Sequence, residues 1–223
     1  MLRWLAALVL LGLIGGGIGW WHLRHWQPDT TAYPVQGLEV SSADGPLDWP
    51  AIKAVGADFA YLDASVSVFA RDPAFSKNWD EARAAHLQVG AVHRYDPCQP
   101  ADKQAGNFVL VVPRDAKMLP PAVDLDMLAD DCPVKTGDAK VESELMTFIN
   151  QIETHTGKPV LLKISTAFEQ RYHLAHMFNR NLWLSRDRFE PGYAGRPWML
   201  WTANAALDTE ISDQPLHWVV AQP

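Results

Sequence analysis

Leu119-Pro120-Pro121-Ala122-Val123-Asp124-Leu125-Asp126 is the stretch on which the fold of this chain turns. The proline pair ends whatever precedes it, and the short apolar run then reads as a strand delivering two carboxylates two residues apart. Side chains alternate along a strand, so Asp124 and Asp126 fall on one face and Leu125 on the other. Like charges that close raise the pKa of one partner, which sets a proton donor beside an ionised acid and outlines acid/base chemistry. The same residues also read as an ordinary strand end whose aspartates cap the next loop.

Working outward, strands and helices alternate on both sides. Upstream, Gln36 to Val40 reads as a first strand, and Asp48 caps a helix that carries Trp49-Pro50 in its first turn and stops at Gly56. Asp58 to Ala64 is a strand, Lys77 to His86 a helix, Val89 to Tyr95 a strand and Gln99 to Val112 a helix. Downstream, Val141, Leu145, Phe148, Ile149 and Ile152 recur at helical spacing in Asp138 to His155, and Gly157 stops that helix. Pro159 to Ile164 is a strand, Thr166 to Leu174 a helix, and Asn181 to Ser185 and Trp198 to Thr202 are late strands. This alternation predicts a single α/β domain with a parallel sheet, closed as a barrel or open.

In a parallel barrel the ligand site lies where the C-terminal strand ends meet. Glu39, Asp63, His93, Asp124, Asp126, Lys163, Trp183 and Trp201 all fall in or at the end of a predicted strand. Taken singly, His93 reads as a packed histidine and Lys163 as a solvated strand end. Their convergence on one rim is what makes the set a candidate site.

Composition narrows the function classes. The chain has 223 residues, enough for one core of roughly 190 once the N-terminus is set aside. Arg3 and Arg24 precede Pro28 with no acid beside them, leaving 17 of the 19 basic residues against 26 acidic ones, net −9. Such a domain repels nucleic acid and anionic lipid, and no basic cluster is visible. Six of the ten tryptophans, Trp49, Trp79, Trp183, Trp198, Trp201 and Trp218, lie in the domain. Most read as core, but aromatic faces in a cleft are what sugar rings stack on.

Trp4 to Trp21 is an uncharged run of eighteen residues preceded by Arg3, long enough with its flanks to cross a bilayer. Residues 1–26 are therefore expected to form a transmembrane helix at the inner membrane, with the domain in the periplasm. The alternative is a signal peptide, disfavoured because Gly15 to Trp21 shows no small-x-small cleavage site. Gly12/Gly16 and Gly15/Gly19 have the spacing that lets transmembrane helices dimerise, although glycine-rich runs also show it by chance. Residues 27–34 read as a linker, and the domain runs from 35 to 223.

Cys98 and Cys132 are the only cysteines and flank the segment holding the acid pair. An exported chain favours a bridge between them; a reducing compartment would leave two buried thiols. No metal-ligand spacing, phosphate-cradling glycine loop or nucleophile elbow is present, and no cofactor is expected.

Several segments together resemble the lysozymes of glycoside hydrolase family 25, muramidases with an irregular, TIM-like β/α barrel. They are Gly37-Leu38-Glu39-Val40-Ser41 with Leu47-Asp48-Trp49, Asp72-Pro73 with Phe75 and Asn78-Trp79, and Gly90-Ala91-Val92-His93. Gln104-Ala105 with Asn107-Phe108, and the Leu119–Asp126 stretch, complete the set. The resemblance spans Gly37 to about Trp201, and the cysteine pair is similar to that of Gram-negative-type members. It implies hydrolysis of the β-1,4 bond between N-acetylmuramic acid and N-acetylglucosamine of peptidoglycan, without cofactor. By resemblance Asp126 is the acid, with Asp124 and Glu39 as its catalytic partners and Trp201 as an aromatic of the cleft, while Asp63, His93, Lys163 and Trp183 are candidate substrate contacts from their strand-end positions.

The departures from the family pattern are as informative. Glu39 stands where the family has aspartate, and Asp126 where it has glutamate, so the two acid lengths are exchanged. Asp63 replaces a lysine, and Lys163 a tyrosine. An Asp63–Lys163 ion pair would account for both replacements together, and two unrelated surface substitutions would account for them equally well. The pattern thus admits either a retained hydrolase or a glycan-binding protein that has lost catalysis.

Overall fold

Period-two patterns in the strands generate a closed barrel whose two faces carry different cores. A computed structural model describes residues 2–223, and the side chains of residue 4 and of 9–223. The strands are β1 (Gln36–Val40), β2 (Phe59–Val66), β3 (Ala70–Arg71), β4 (Gln88–Arg94), β5 (Ala122–Leu125), β6 (Leu161–Ile164), β7 (Asn181–Ser185), β8 (Leu200–Leu207) and β9 (Leu216–Ala221). Their order is β1-β9-β8-β7-β6-β5-β4-β2-β3, and β1 also pairs with β2, which closes eight strands into a barrel with β3 as a flap on β2. Within the barrel, neighbours are parallel except β9, which runs antiparallel to both β8 and β1, and the flap β3 runs antiparallel to β2. No helix separates β7 from β8 or β8 from β9, which makes the barrel irregular.

Phe59, Tyr61, Val92, Ala122, Leu161, Trp183, Leu200 and Val219 fill the barrel interior. The alternate residues, such as Leu38, Leu62, Ala91, Val123, Leu162, Trp201 and Val220, face the helices in a larger outer core. Two glycines allow the interior to pack: a Cβ at Gly37 would lie 2.3 Å from the Phe59 carbonyl, and one at Gly90 2.4 Å from the Tyr61 ring. The helices are α1 (Leu2–Arg24), α2 (Trp49–Ala54), α3 (Phe75–Ala84), α4 (Ala101–Val109), α5 (Asp138–Thr156) and α6 (Thr166–Tyr172). On α5 the buried side chains are Val141, Leu145, Phe148, Ile149, Ile152 and Thr156, which includes every position of the helical pattern, and Gly157 ends it at φ +70°. β3 and β9 are absent from the sequence reading: β3 has only two residues, and β9 follows a polar loop beyond the last strand expected.

The expected transmembrane helix is not found. Among the described residues no helix is long and apolar enough to cross a membrane. Five glycines, Gly12, Gly15, Gly16, Gly17 and Gly19, dilute the apolar run of α1. Met1 and the side chain of Arg3, which the sequence reading sets before the apolar run, lie outside the described residues. The helix ends against the barrel: Arg24 forms a two-pronged ion pair with Asp208 at 2.7 and 2.6 Å, and the Asp208 amide donates to the Arg24 carbonyl. Residues 27–34 are likewise tied down, because the Gln36 side chain donates to the carbonyls of Pro28 and Tyr33. Cys98 and Cys132 form a disulfide that joins the loops after β4 and β5.

Candidate active site

Alternation decides which side chains reach the C-terminal mouth of the barrel. Inward-facing residues at the strand ends are Glu39 on β1, Asp63 on β2, Arg94 on β4, Asp124 on β5 and Lys163 on β6. Antiparallel β9 brings its first turn to the same mouth and contributes His217. These residues line two adjacent lobes. One of about 370 Å³ is bounded by Arg94, Asp124, Asp126, Lys163 and His217 with Ser165, Thr166 and Ser185. The other, about 170 Å³, is lined by Glu39, Ser41, Asp44, Asp63, Arg94 and His217. Arg94 and His217 border both.

Buried charges in this mouth are paired. Lys163 Nζ lies 2.5 Å from Glu39 Oε1 and 3.2 Å from Asp124 Oδ2, and sits 5.2 Å from the centre of the Trp183 ring below it. Arg94 pairs with Asp63 at 2.9 Å, and His217 Nδ1 lies 3.6 Å from Glu39 Oε2. The Asp63–Lys163 pair expected from sequence does not form, because each group has a nearer partner.

Electrostatics separates the three buried carboxyls. Burial alone would raise Glu39, but the Lys163 ammonium and His217 outweigh it and hold the group at about 2. Burial pushes Asp63 up to about 7, reinforced by the Glu39 charge and only partly opposed by Arg94. Asp124 is also raised by burial, against the pull of Lys163. Burial would lower Lys163, yet Glu39 and Asp124 keep its pKa above the ordinary lysine value. The neighbouring Glu39 carboxylate raises His217. The mouth therefore holds a firmly ionised glutamate beside an aspartate that exchanges its proton near neutrality.

Four sequence assignments need correction. Asp126 follows the end of β5 and is exposed, so it is not the buried acid expected from sequence; the carboxyl that burial raises most clearly is Asp63. His93 points outward between Val92 and Arg94, into the core under α4 and α5. Its ring is 4.6 Å from Phe148, Nδ1 is 2.8 Å from Ser65 Oγ, and burial lowers its pKa to about 4. Trp201 also points outward, packing on Trp26, Tyr33 and Trp198, and its indole N–H donates to the Arg186 carbonyl. Trp183 faces inward but is fully buried, with its N–H donated to Thr202 Oγ1, so it forms the floor beneath Lys163 and no surface for a sugar. None of the six domain tryptophans exceeds 8% exposure, and none lines the two lobes.

Two site residues escape the sequence reading, Arg94 and His217. A period-two signal was present for each: Arg94 is two residues past inward Val92, and Leu216-His217-Trp218-Val219 alternates around the histidine. Among the described residues no cluster of three or more histidine, cysteine or acidic side chains is arranged to hold a metal ion.

The sequence pattern described as "Glycosyl hydrolases family 25" matches residues 38–205. The uncharacterised protein YegX of Escherichia coli K12 is 25% identical over 179 residues, which cover 76% of this chain and 63% of YegX. The chain thus spans less than two thirds of that relative's length. Lysozyme M1 of Streptomyces globisporus is 32% identical over 96 residues, covering 41% of this chain and 33% of that protein. Among solved structures, a family 25 glycosyl hydrolase from Bacillus anthracis superposes with a TM-score of 0.80 at 25% identity, covering 90% of this chain and 93% of the other. A bacterial lysozyme from Streptomyces coelicolor shares the fold with a TM-score of 0.74 at 20% identity, covering 85% and 92% of the two chains.

Proposed function

The chain belongs to glycosyl hydrolases family 25, and on that premise we propose that it is a lysozyme-type hydrolase acting on peptidoglycan. The bond cleaved in this reading is the β-1,4 linkage between N-acetylmuramic acid and N-acetylglucosamine. Asp126, exposed on the larger lobe, gives its proton to the leaving oxygen once a bound glycan displaces water around it. Glu39 and Asp124 face the positive charge that develops at the anomeric carbon. The observation that carries the reading is the convergence of Glu39, Asp63, Asp124 and Asp126 at the C-terminal mouth of a barrel of this family.

The test is release of reducing ends from purified peptidoglycan by the folded protein. Release by the wild type that falls at least about 100-fold in Asp126→Asn supports the reading. No release by the wild type overturns it. A second reading, glycan binding without turnover, is favoured by Lys163, whose ammonium bridges Glu39 and Asp124 where a glycosidase needs negative charge free. Retention on peptidoglycan with no reducing ends selects that reading.

Location belongs to the same proposal: the domain works in the periplasm, held at the inner membrane through α1. The support is the disulfide, which persists in oxidising surroundings, and the row Val9, Leu10, Leu11, Leu13, Ile14 and Ile18 exposed on α1. Fractionation of cells tests it: the full chain is expected with the membranes and a form lacking residues 1–26 in the soluble fraction.

A further inference from the structure

The smaller lobe carries an observation that the proposed hydrolysis has not used. Glu39 Oε2 and Asp63 Oδ1 are both buried without a hydrogen-bond partner. Both residues are more than nine-tenths buried and both line this 170 Å³ space. Their other oxygens are committed, Glu39 Oε1 to Lys163 and Asp63 Oδ2 to Arg94. Asp63 Oδ1 has no partner and Glu39 Oε2 only the His217 ring at 3.6 Å, beyond hydrogen-bond reach; leaving such acceptors in the interior is costly, and a small molecule with two donor hydrogens satisfies both. At about 30 Å³ each, a few waters fit the lobe. A water donating one hydrogen to each carboxylate keeps its lone pairs free, and Arg94 and His217 join this space to the cleft proposed to hold the glycan.

We propose that this lobe holds the hydrolytic water and that Asp63 is the general base that activates it, so that the glycosidic bond is cleaved with inversion. The inference rests on the hydrolase reading above. The water oxygen forms a bond to the anomeric carbon while the bond from that carbon to the leaving oxygen breaks. The water proton passes to Asp63 Oδ1, and the leaving oxygen takes the proton of Asp126.

The groups that face Asp63 set its basicity: Glu39 of β1, Arg94 of β4, Asp124 of β5, Lys163 of β6 and His217 of β9, with Asp44 at the lobe's edge. The result, near 7, is where a general base works best at neutral pH. Glu39, held at about 2, is too weak a base for the same task and serves as the second acceptor.

Proton NMR of the first reducing ends released from a peptidoglycan glycan by the wild type decides the matter without any variant. The α anomer appearing first supports the proposal, and the β anomer appearing first overturns it while leaving the hydrolase reading intact. Absence of any turnover overturns the hydrolase reading itself. In a second experiment Asp63→Gly, shown folded by circular dichroism, should lose at least 100-fold in rate, and added azide should restore glycan cleavage with formation of the α-glycosyl azide. An unchanged rate, or a β-glycosyl azide, overturns the assignment of Asp63.

Discussion

Lys163 Nζ lies 2.5 Å from Glu39 Oε1, and these two residues stand on opposite sides of the barrel: three strands separate β1 from β6 in either direction around the sheet. One lysine thus spans the mouth and braces the first strand against the sixth, with Asp124 as a second anchor on the neighbouring strand.

Lys163→Met removes the brace and leaves Glu39 and Asp124 buried together. The variant is expected to lose about 3 kcal/mol in denaturant unfolding at pH 7. Adding Glu39→Gln should recover part of that loss, because the uncompensated charge is then gone. A single variant as stable as the wild type would show that the pair carries no net stability.

The carboxyl pKa values fix the sign of a pH effect. Glu39 is held at about 2, so the stability it contributes is complete above about 4.5 and is lost as the pH falls toward 2. Asp63 is raised from 3.8 to about 7, so the folded state binds its proton more tightly and stability is lost as the pH rises through that window. His93, lowered from 6.5 to about 4, acts in the opposite direction over an overlapping range. Asp63→Asn isolates one contribution: relative to the wild type, the variant should gain at least about 1 kcal/mol between pH 4 and pH 8. A flat difference would contradict the raised pKa.

The disulfide closes a stretch with a sequence separation of 34. Replacing both cysteines by serine should cost about 3–4 kcal/mol through the freed unfolded chain. Thiol labelling of the denatured, unreduced wild type should find no free cysteine.

Trp201 belongs to the outer core, packed on Trp26, Tyr33 and Trp198. Trp201→Ala is therefore expected to lower stability by about 3–5 kcal/mol while the folded fraction binds peptidoglycan with wild-type affinity. A selective loss of binding with stability intact would return this residue to the glycan site.

Length separates two accounts of the exchanged acids. If Glu39 and Asp126 compensate for one another, Asp126→Glu pushes the carboxyl roughly 1.5 Å too far into the cleft and does not raise the rate of reducing-end release. A strong rise in that rate would mean that Asp126 is a degenerate acid whose full-length form was missing.

Composition, periodicity and turn residues carried the element order. Val141 to Ile152 marked α5, the Leu119–Asp126 stretch marked β5, and the strand ends of a parallel barrel brought Glu39, Asp124 and Lys163 to one rim. These features are local, so sequence determines them. The partners of each charge were not legible, because Lys163 meets Glu39 across 124 positions of chain and only barrel closure brings them together. The same holds for His217, carried to the mouth by an antiparallel strand that the expected alternation of strand and helix does not contain. Orientation was legible in principle at His93 and Trp201, where strict alternation points both out of the barrel. Which carboxyl is raised was decided by tertiary structure alone: burial and neighbouring charge set a pKa, and both are properties of the closed mouth, which buries Asp63 and leaves Asp126 in water.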